Sequence, residues 1–381
     1  MTAARRDRLA IVAVTARALT QAARRSPAYC RARIVALDWF ADRDLAAAAD
    51  HAEALPTRRA GGFAERPLFA ALRRLVPEGS LVVAGSGFES RLPLLARLSA
   101  AYRLAGNAAA VLARVKDPAQ FFPALWRLGI AHPEVAREVP RGEGSSWLVK
   151  RVGGAGGGHI RPASRGGAVP LRCYAQRRMP GRPLSLAFLA DGERAEPVGF
   201  TEQWPSPGWR APYRFGGAAS PAQPPEPLAG RMTDWVERLA REFGLRGLNS
   251  ADFLVEGDHA WLLEVNPRPG ATLDLLDRAR PGLFQAHVEA CFGRLSLPGL
   301  TPSPARAACI LYADQGSIPI GIEDWPAWIA DRPHAGSTIP AGGPICTVFG
   351  DGRDVAAARR SAEGHAATIL ERLDAAAYAD A

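Results

Sequence analysis

The sequence predicts an α/β chain with α+β segments towards its far end, and three observations carry that prediction. The first ~105 residues alternate apolar, β-branched runs with alanine- and leucine-rich runs, as strands returning through helices to a parallel sheet would. A strand bearing Lys150 runs into Gly153-Gly154-Ala155-Gly156-Gly157-Gly158. Two strand-like segments joined by Gly257-Asp258 carry Asp252, Glu264 and Asn266 among apolar neighbours.

Each element follows from its local pattern. Residues 9–14 are apolar and β-branched and read as a buried first strand, because Arg17 interrupts the run too soon for a secretory signal. Residues 15–25 read as a helix, 33–38 as a second strand, 45–54 as a second helix and 81–84 as a third strand. Gly85-Ser86-Gly87 then turns the chain into a helix from Leu92, completing a βαβαβ pattern. One helix is expected through Lys116 to Leu128, with Phe121, Leu125 and Leu128 on its buried face and Gly129 ending it. Strands are expected at 147–152, 172–177 and 184–189, the last after a Pro180-Gly181 turn. Residues 200–228 are rich in proline, glycine and aromatics and predict a long ordered loop, with Trp204, Trp209, Tyr213 and Phe215 available for burial. An amphipathic helix at 233–243 precedes the strand pair 247–256 and 260–265. Short strands at 308–313 and 345–348 and a helix over 355–373 close the chain.

Composition narrows the class. A chain of 381 residues accommodates about two to three domains. No apolar run approaches the roughly 20 residues of a membrane span. Five scattered cysteines without a CxxC or Cys/His spacing fit a reducing cytoplasm and argue against structural zinc. The net charge of +9 comes from dispersed arginines, with no basic and aromatic stripe that would mark a nucleic-acid surface. Such a field attracts anionic substrates. Of 47 basic residues only two are lysines, Lys116 and Lys150. A lysine retained against that bias suggests a place for a compact ammonium where a planar guanidinium does not fit.

The motifs point to phosphate and metal chemistry. Glycines let backbone N–H groups close around phosphate oxygens, and a lysine just before them neutralises charge. The lysine precedes the glycines, so this is not the GxxxxGK[ST] loop. Glu264 and Asn266 are two apart and share a face on a strand, and a hairpin brings Asp252 alongside. Two carboxylates and an amide oxygen are hard ligands suited to Mg²⁺. Arg268 follows where it would stabilise a transferring phosphoryl group or an acyl phosphate. His159 ends the glycine-rich loop, where it reads either as a contact to phosphate or substrate or as a loop-end polar residue.

These residues resemble the ATP-grasp superfamily over roughly 105–300, with Glu264-Val265-Asn266-Pro267-Arg268-Pro269 the most specific stretch. The resemblance implies an ATP-grasp fold with a Rossmann-like pre-ATP-grasp domain over 1–105 and a nucleotide lid over 106–180. It further implies a metal and substrate subdomain over 181–300 and a C-terminal α+β extension over 301–381. The implied cofactors are ATP and Mg²⁺, with Mn²⁺ as an alternative. Lys116, Lys150, Gly153, Gly154, Gly156, Gly157 and Gly158 would contact the nucleotide, and Gln176, Arg177 and Met179 would form the adenine hinge. Asp252, Glu264 and Asn266 would hold the metal, and Arg268 and Lys150 would be catalytic. Many members hold the ribose with a glutamate after the hinge; here Gly181-Arg182-Pro183 occupies that region.

A narrower resemblance rests on residues 204–215 and on Pro344-Ile345-Cys346-Thr347-Val348. It is to the tyramine–glutamate ligases of methanofuran and methylofuran-type coenzyme synthesis, within one-carbon metabolism. That implies an ADP-forming carboxylate–amine ligase joining glutamate to an aromatic amine such as tyramine. Rival readings are a ligase for other amino acids or peptides, an ATP-grasp carboxylase, and a non-enzymatic ATP-binding module. The expected partners are small-molecule acids and amines, not nucleic acid or membrane, in the cytoplasm, and the sequence is compatible with an oligomer.

Overall fold

Alternation in the first strand sets the N-terminal layer. In β1 (Arg8–Val12), Leu9 and Ile11 face one buried cluster while Ala10 and Val12 face another, as a strand covered on both sides requires. The computed structural model describes residues 8–57, 61–163, 166–208 and 211–379, with side chains described through residue 373. The chain continues through α1 (Arg17–Arg25), β2 (Arg33–Asp38), α2 (Arg43–Ala48), β3 (His51–Ala54), α3 (Glu65–Leu75), β4 (Leu81–Ala84), α4 (Leu92–Ala101) and β5 (Arg103–Ala105). These strands form the expected parallel sheet, in the order β3-β2-β1-β4-β5. The helix expected over 45–54 ends early: residues 51–54 are the edge strand, paired to β2 from Val35↔His51 to Asp38↔Ala54. Alanine-rich composition favours helix locally, but the open edge of β2 wins.

The next segment starts with a broken helix. α5 (Ala109–Lys116) and α6 (Pro118–Arg127) replace the single helix expected through Lys116. Pro118 has no N–H to give and drives Asp117 to extended geometry (φ −88°, ψ 112°), and the Asp117 carboxylate then accepts from Ala119 N at 3.0 Å. Lys116 thereby becomes the last residue of α5, at a corner. Strands β6 (Val135–Ala136), β7 (Glu138–Val139), β8 (Trp147–Arg151), β9 (Arg161–Pro162), β10 (Gly167–Ala168) and β11 (Cys173–Arg177) follow. They build a sheet of order β6-β11-β8-β9 and a β7–β10 pair.

The body is one antiparallel sheet. β12 (Arg182–Asp191), β13 (Ala195–Pro205), β14 (Phe215–Ser220), α7 (Glu226–Phe243), β15 (Arg246–Glu256), β16 (His259–Asn266), α8 (Leu273–Ala279) and α9 (Leu283–Cys291) come first. β17 (Ala305–Tyr312), β18 (Ile318–Pro319), β19 (Ile329–Ala330), β20 (Thr338–Ile339), β21 (Pro344–Gly352) and α10 (Val355–Ala379) complete the chain. Eight of these strands are ordered β16-β15-β12-β13-β14-β17-β21-β19, so the C-terminal strands prolong the sheet that carries Asp252 and Glu264. The long loop expected over 200–228 is a strand pair: β13 and β14 leave residues 206–214 between them, and Trp209 lies outside the described residues. Leu273, Leu283 and Phe284 of α8 and α9 share a buried cluster with Leu9 and Ile11, fixing the N-terminal sheet against the body.

Candidate active site

The carboxylates meet because of strand register. Asp252 on β15 stands opposite Glu264 on β16, and Ser250 opposite Asn266, next to a bulge between Asp252 and Phe253. Ser185 on β12 pairs with Asp252 from the other side, and its hydroxyl donates to Asp252 Oδ1 at 2.6 Å. Asn266 Nδ2 donates to Asp252 Oδ2 at 2.8 Å, and its Oδ1 accepts from Lys116 Nζ at 3.2 Å. Lys116 Nζ is also 3.9 Å from Glu264 Oε2. Burial and the Glu264 charge push Asp252 up to about 6. Burial acts the same way on Glu264, but Lys116, Lys150, His159 and Arg268 outweigh it and hold that carboxyl below its ordinary value. A divalent cation would relieve this repulsion, and the donor set of two carboxylates and an amide oxygen fits one.

Lys150, on β8, is buried and 4% exposed. Burial pulls its ammonium down, against the raising pull of Glu264 and Asp252. Tyr174 pairs with Lys150 across β8 and β11, and burial together with Glu264 pushes its phenol up. The glycine-rich loop that follows Lys150 lies between two walls. A Cβ on Gly153 would sit 2.9 Å from Glu89 O, and one on Gly157 would sit 1.8 Å from Tyr213 O, so side chains are excluded at both contacts. Phe215 N also donates to Gly156 O at 2.9 Å. The cleft lined by Lys116, Tyr174, Gly153, Gly154 and Glu264 encloses about 20 Å³. That is room for about one water.

Gln176 of the expected hinge is buried, and its Nε2 donates to Leu263 O at 3.4 Å. Arg177 is exposed, 3.5 Å from Glu134 and 3.6 Å from Glu143, with its guanidinium over Trp147. Met179 is half-buried just past β11. Two of the four aromatic residues between 204 and 215 are spent on packing. Trp204 belongs to the core beneath α10, with Arg359 stacked over it, and Phe215 packs on a cluster with Leu275 and Phe349. Arg214 ties this turn to the C-terminal strands through a bidentate pair with Asp314 at 3.0 and 2.8 Å and by stacking on Tyr312.

Two residues join the site from outside the motifs. Glu89, from the turn after β4, accepts from Arg268 Nε at 2.9 Å and from Gly87 N at 2.8 Å. Burial would raise Glu89, but Arg268 and then Lys116 hold it below its ordinary value. The signal for Glu89 was its place at the carboxyl end of a parallel strand, where open α/β sheets bind ligands. Asn107, buried after β5, donates to Arg246 O, Asn249 Oδ1 and Pro267 O and accepts from Arg246 N. It fixes the segment that carries Asn266 and Arg268.

With this geometry, residues 115–272 match the family model described as ATP-grasp domain. The match is to an ATP-grasp domain and spans less than half of the chain. Over 236 residues it is 27% identical to the carbamoyl phosphate synthase large chain of Rubrobacter xylanophilus, covering 55% of this chain and 22% of that protein. Over 141 residues it is 30% identical to the D-alanine–D-alanine ligase of Bordetella petrii, covering 35% of this chain and 43% of the ligase. The aligned stretch thus spans well under two thirds of either relative. A biotin carboxylase from Campylobacter jejuni, solved as a beta-gamma-ATP complex, superimposes with a TM-score of 0.68 at 14% identity, over 91% of this chain and 88% of that one. The overall fold is therefore the ATP-grasp fold, and the Asp252, Glu264, Lys116 and Lys150 cluster lies inside the matched ATP-grasp domain. Among the described residues, no helix is long and apolar enough to cross a membrane.

Proposed function

We propose that this ATP-grasp protein is an ADP-forming ligase that joins a carboxylate to an amine through an acyl phosphate. The observation that supports this most is the convergence of buried Lys150 and Asn266 with partly buried Lys116, Asp252 and Glu264 next to a glycine-rich loop, with Arg268 held beside them by Glu89. The acid's oxygen attacks the terminal phosphorus of ATP, breaking the bond to ADP. The amine nitrogen then attacks the acyl carbon and expels inorganic phosphate, losing a proton as the amide forms. Neither step needs a covalent protein intermediate, so the chain's task is positioning and charge neutralisation.

Asp252, Glu264 and Asn266 would hold Mg²⁺, which when bound supplies charge neutralisation at the phosphates. Lys116 and Lys150 offset phosphate charge in a site too buried for solvent to do so. Arg268 presents the donors that Glu89 does not use to the acyl phosphate. The glycine-rich loop, seated on Glu89 and Tyr213, excludes water that would hydrolyse that intermediate. A relative named as a ligase is in keeping with amide formation.

Glutamate and tyramine are the finer reading. It rests on the narrower resemblance, since Trp204 and Phe215 are engaged in packing. ADP release with Mg²⁺-ATP is the test, with glutamate and tyramine, each omission, and a panel of other acids and amines. Release requiring one acid and one amine, with the amide seen by mass, is the expected result. Glu264→Gln should lower it by roughly 10²-fold or more. Release that needs bicarbonate and no amine would overturn the ligase reading.

A further inference from the structure

Phe215, the first residue of β14, joins two distant parts of the chain. Its N–H donates to Gly156 O of the glycine-rich loop at 2.9 Å, and its carbonyl accepts from the Tyr312 hydroxyl at the end of β17 at 2.8 Å. Among the described residues, the first of these is the one backbone hydrogen bond between residues 153–158 and the eight-stranded sheet.

Arg214, buried directly before Phe215, organises the β13–β14 turn, of which residues 206–208 and 211–214 are described. Its Nε donates to Ser206 O at 3.0 Å, next to the bond from Ser206 N to Arg214 O at 2.8 Å, and the two close the turn on itself. Its terminal nitrogens donate to Asp314 at 3.0 and 2.8 Å, and its Cζ lies 3.5 Å from the centre of the Tyr312 ring. A Cβ on Gly208 would sit 3.0 Å from that guanidinium, and one on Gly216 would sit 2.5 Å from Ser206 N, so the turn is wrapped closely about the side chain. The fork is spent on Ser206 and Asp314, and Arg214 therefore acts on the site through the backbone it holds.

We propose that Arg214 is a positioning residue that seats the glycine-rich loop. With Tyr312 and Asp314 it fixes Phe215, and the C-terminal strand β17 thereby sets how that loop covers the site. The consequence for turnover rests on the ligase reading above. Under an unseated loop, water attacks the acyl carbon of the acyl phosphate in place of the amine, loses a proton, expels inorganic phosphate and returns the acid. Losing the seat uncouples ADP release from amide formation.

Hydrogen exchange on the full chain reads the seat without any substrate. Arg214→Gln should speed exchange at the Phe215 amide and across residues 153–160 by about ten-fold, the usual net worth of one hydrogen bond. Tyr312→Phe, which removes only a hydroxyl from a half-buried ring, should do the same and stands in if the arginine variant fails to fold. Arg278→Gln breaks an ion pair with Asp351 on β21; it controls for general loosening and should leave 153–160 at the wild-type rate. Wild-type exchange at 153–160 in both test variants, or equal acceleration by Arg278→Gln, would overturn the proposal. With the acid and amine that the wild type joins, ADP released per amide formed should be about one in wild type and at least about two-fold higher in the test variants, with the KM for ATP little changed. Faster exchange with an unchanged ratio would overturn the role in coupling. A wild type that forms no amide with any pair would sink the ligase reading, while the exchange result still decides the seat.

Discussion

Replacing Glu89 by Gln tests whether the N-terminal domain builds the active site or merely abuts it. The Glu89 side chain is 4% exposed and that of Arg268 15%, with Nε to Oε1 at 2.9 Å. Breaking a buried pair by removing one partner costs about 3–5 kcal/mol, because the other charge stays buried. Asp252 and Glu264 also feel Arg268, so the expected loss is at the low end, ~3 kcal/mol. Urea unfolding of Glu89→Gln, Arg268→Gln and the double variant closes a cycle. The double variant should be less destabilised than the sum of the singles by about 1–3 kcal/mol. The pH dependence has a definite sign. The carboxyl of Glu89 is held below its unfolded value, so its contribution is complete above the ordinary glutamate range and fades as pH falls through the folded value. Wild type and Glu89→Gln should therefore converge in acid. In turnover, a mis-aimed Arg268 should lower kcat by roughly 10²-fold and change the KM for ATP far less. Additivity within about 0.5 kcal/mol, or unchanged kcat, would refute the reasoning and reduce Glu89 to a packing contact.

Two further outcomes follow from buried charge. Lys150→Arg should keep the fold and lower ADP release by about 10²-fold, since a larger, planar cation has to enter a packed site; release at the wild-type rate would show that any cation serves there. Asp42 is pushed up to about 8 by burial and then by Asp331, Asp38 and Asp44, against the pull of Arg17. Its folded value lies above its unfolded one, so stability falls as pH rises from about 4 to about 8, by at most ~1.4 kcal/mol per pH unit. Asp42→Asn should match wild type near pH 4 in urea unfolding and exceed it at pH 8, and identical profiles would count against a protonated Asp42.

Much of this fold was legible because its signals are local. The βαβαβ start, the Gly257-Asp258 hairpin and the helix within Glu226–Phe243 show their periods within a dozen residues. The break between α5 and α6 was also local: Pro118 forbids a continuous helix, and only the strong apolar spacing of Phe121 and Leu125 hid it. β3 was hidden differently, since His-Ala-Glu-Ala carries no strand pattern and becomes a strand only because β2 presents an edge. β13 and β14 were obscured by Pro205, Gly216 and Gly217, yet Ala218 and Ala219 are buried strand residues paired to β17. In the site, lysines, glycines and carboxylates stood out as chemistry. Glu89 did not, because its partner is 179 residues away and no sequence spacing encodes that contact.

The retention of two lysines in an arginine-rich chain becomes intelligible when the buried cations are set side by side. Each buried arginine has a carboxylate or carbonyl for its fork. Arg17 is held by Asp331 and Asp274, Arg214 by Asp314 and Ser206 O, and Arg268 by Glu89 and Pro269 O. A guanidinium carries five N–H donors in a fixed plane and is costly to bury without such matching. Lys116 has one amide oxygen at 3.2 Å and one carboxylate at 3.9 Å, and Lys150 has charges around it but no matched fork. An ammonium with three rotatable donors can be held by so few fixed partners and still turn its remaining donors towards an incoming anion. Arg17 and Arg214 are committed to protein partners, whereas the lysines, together with the donors that Glu89 leaves on Arg268, stay in reserve, as the proposed release and rebinding of phosphate at each turnover would require.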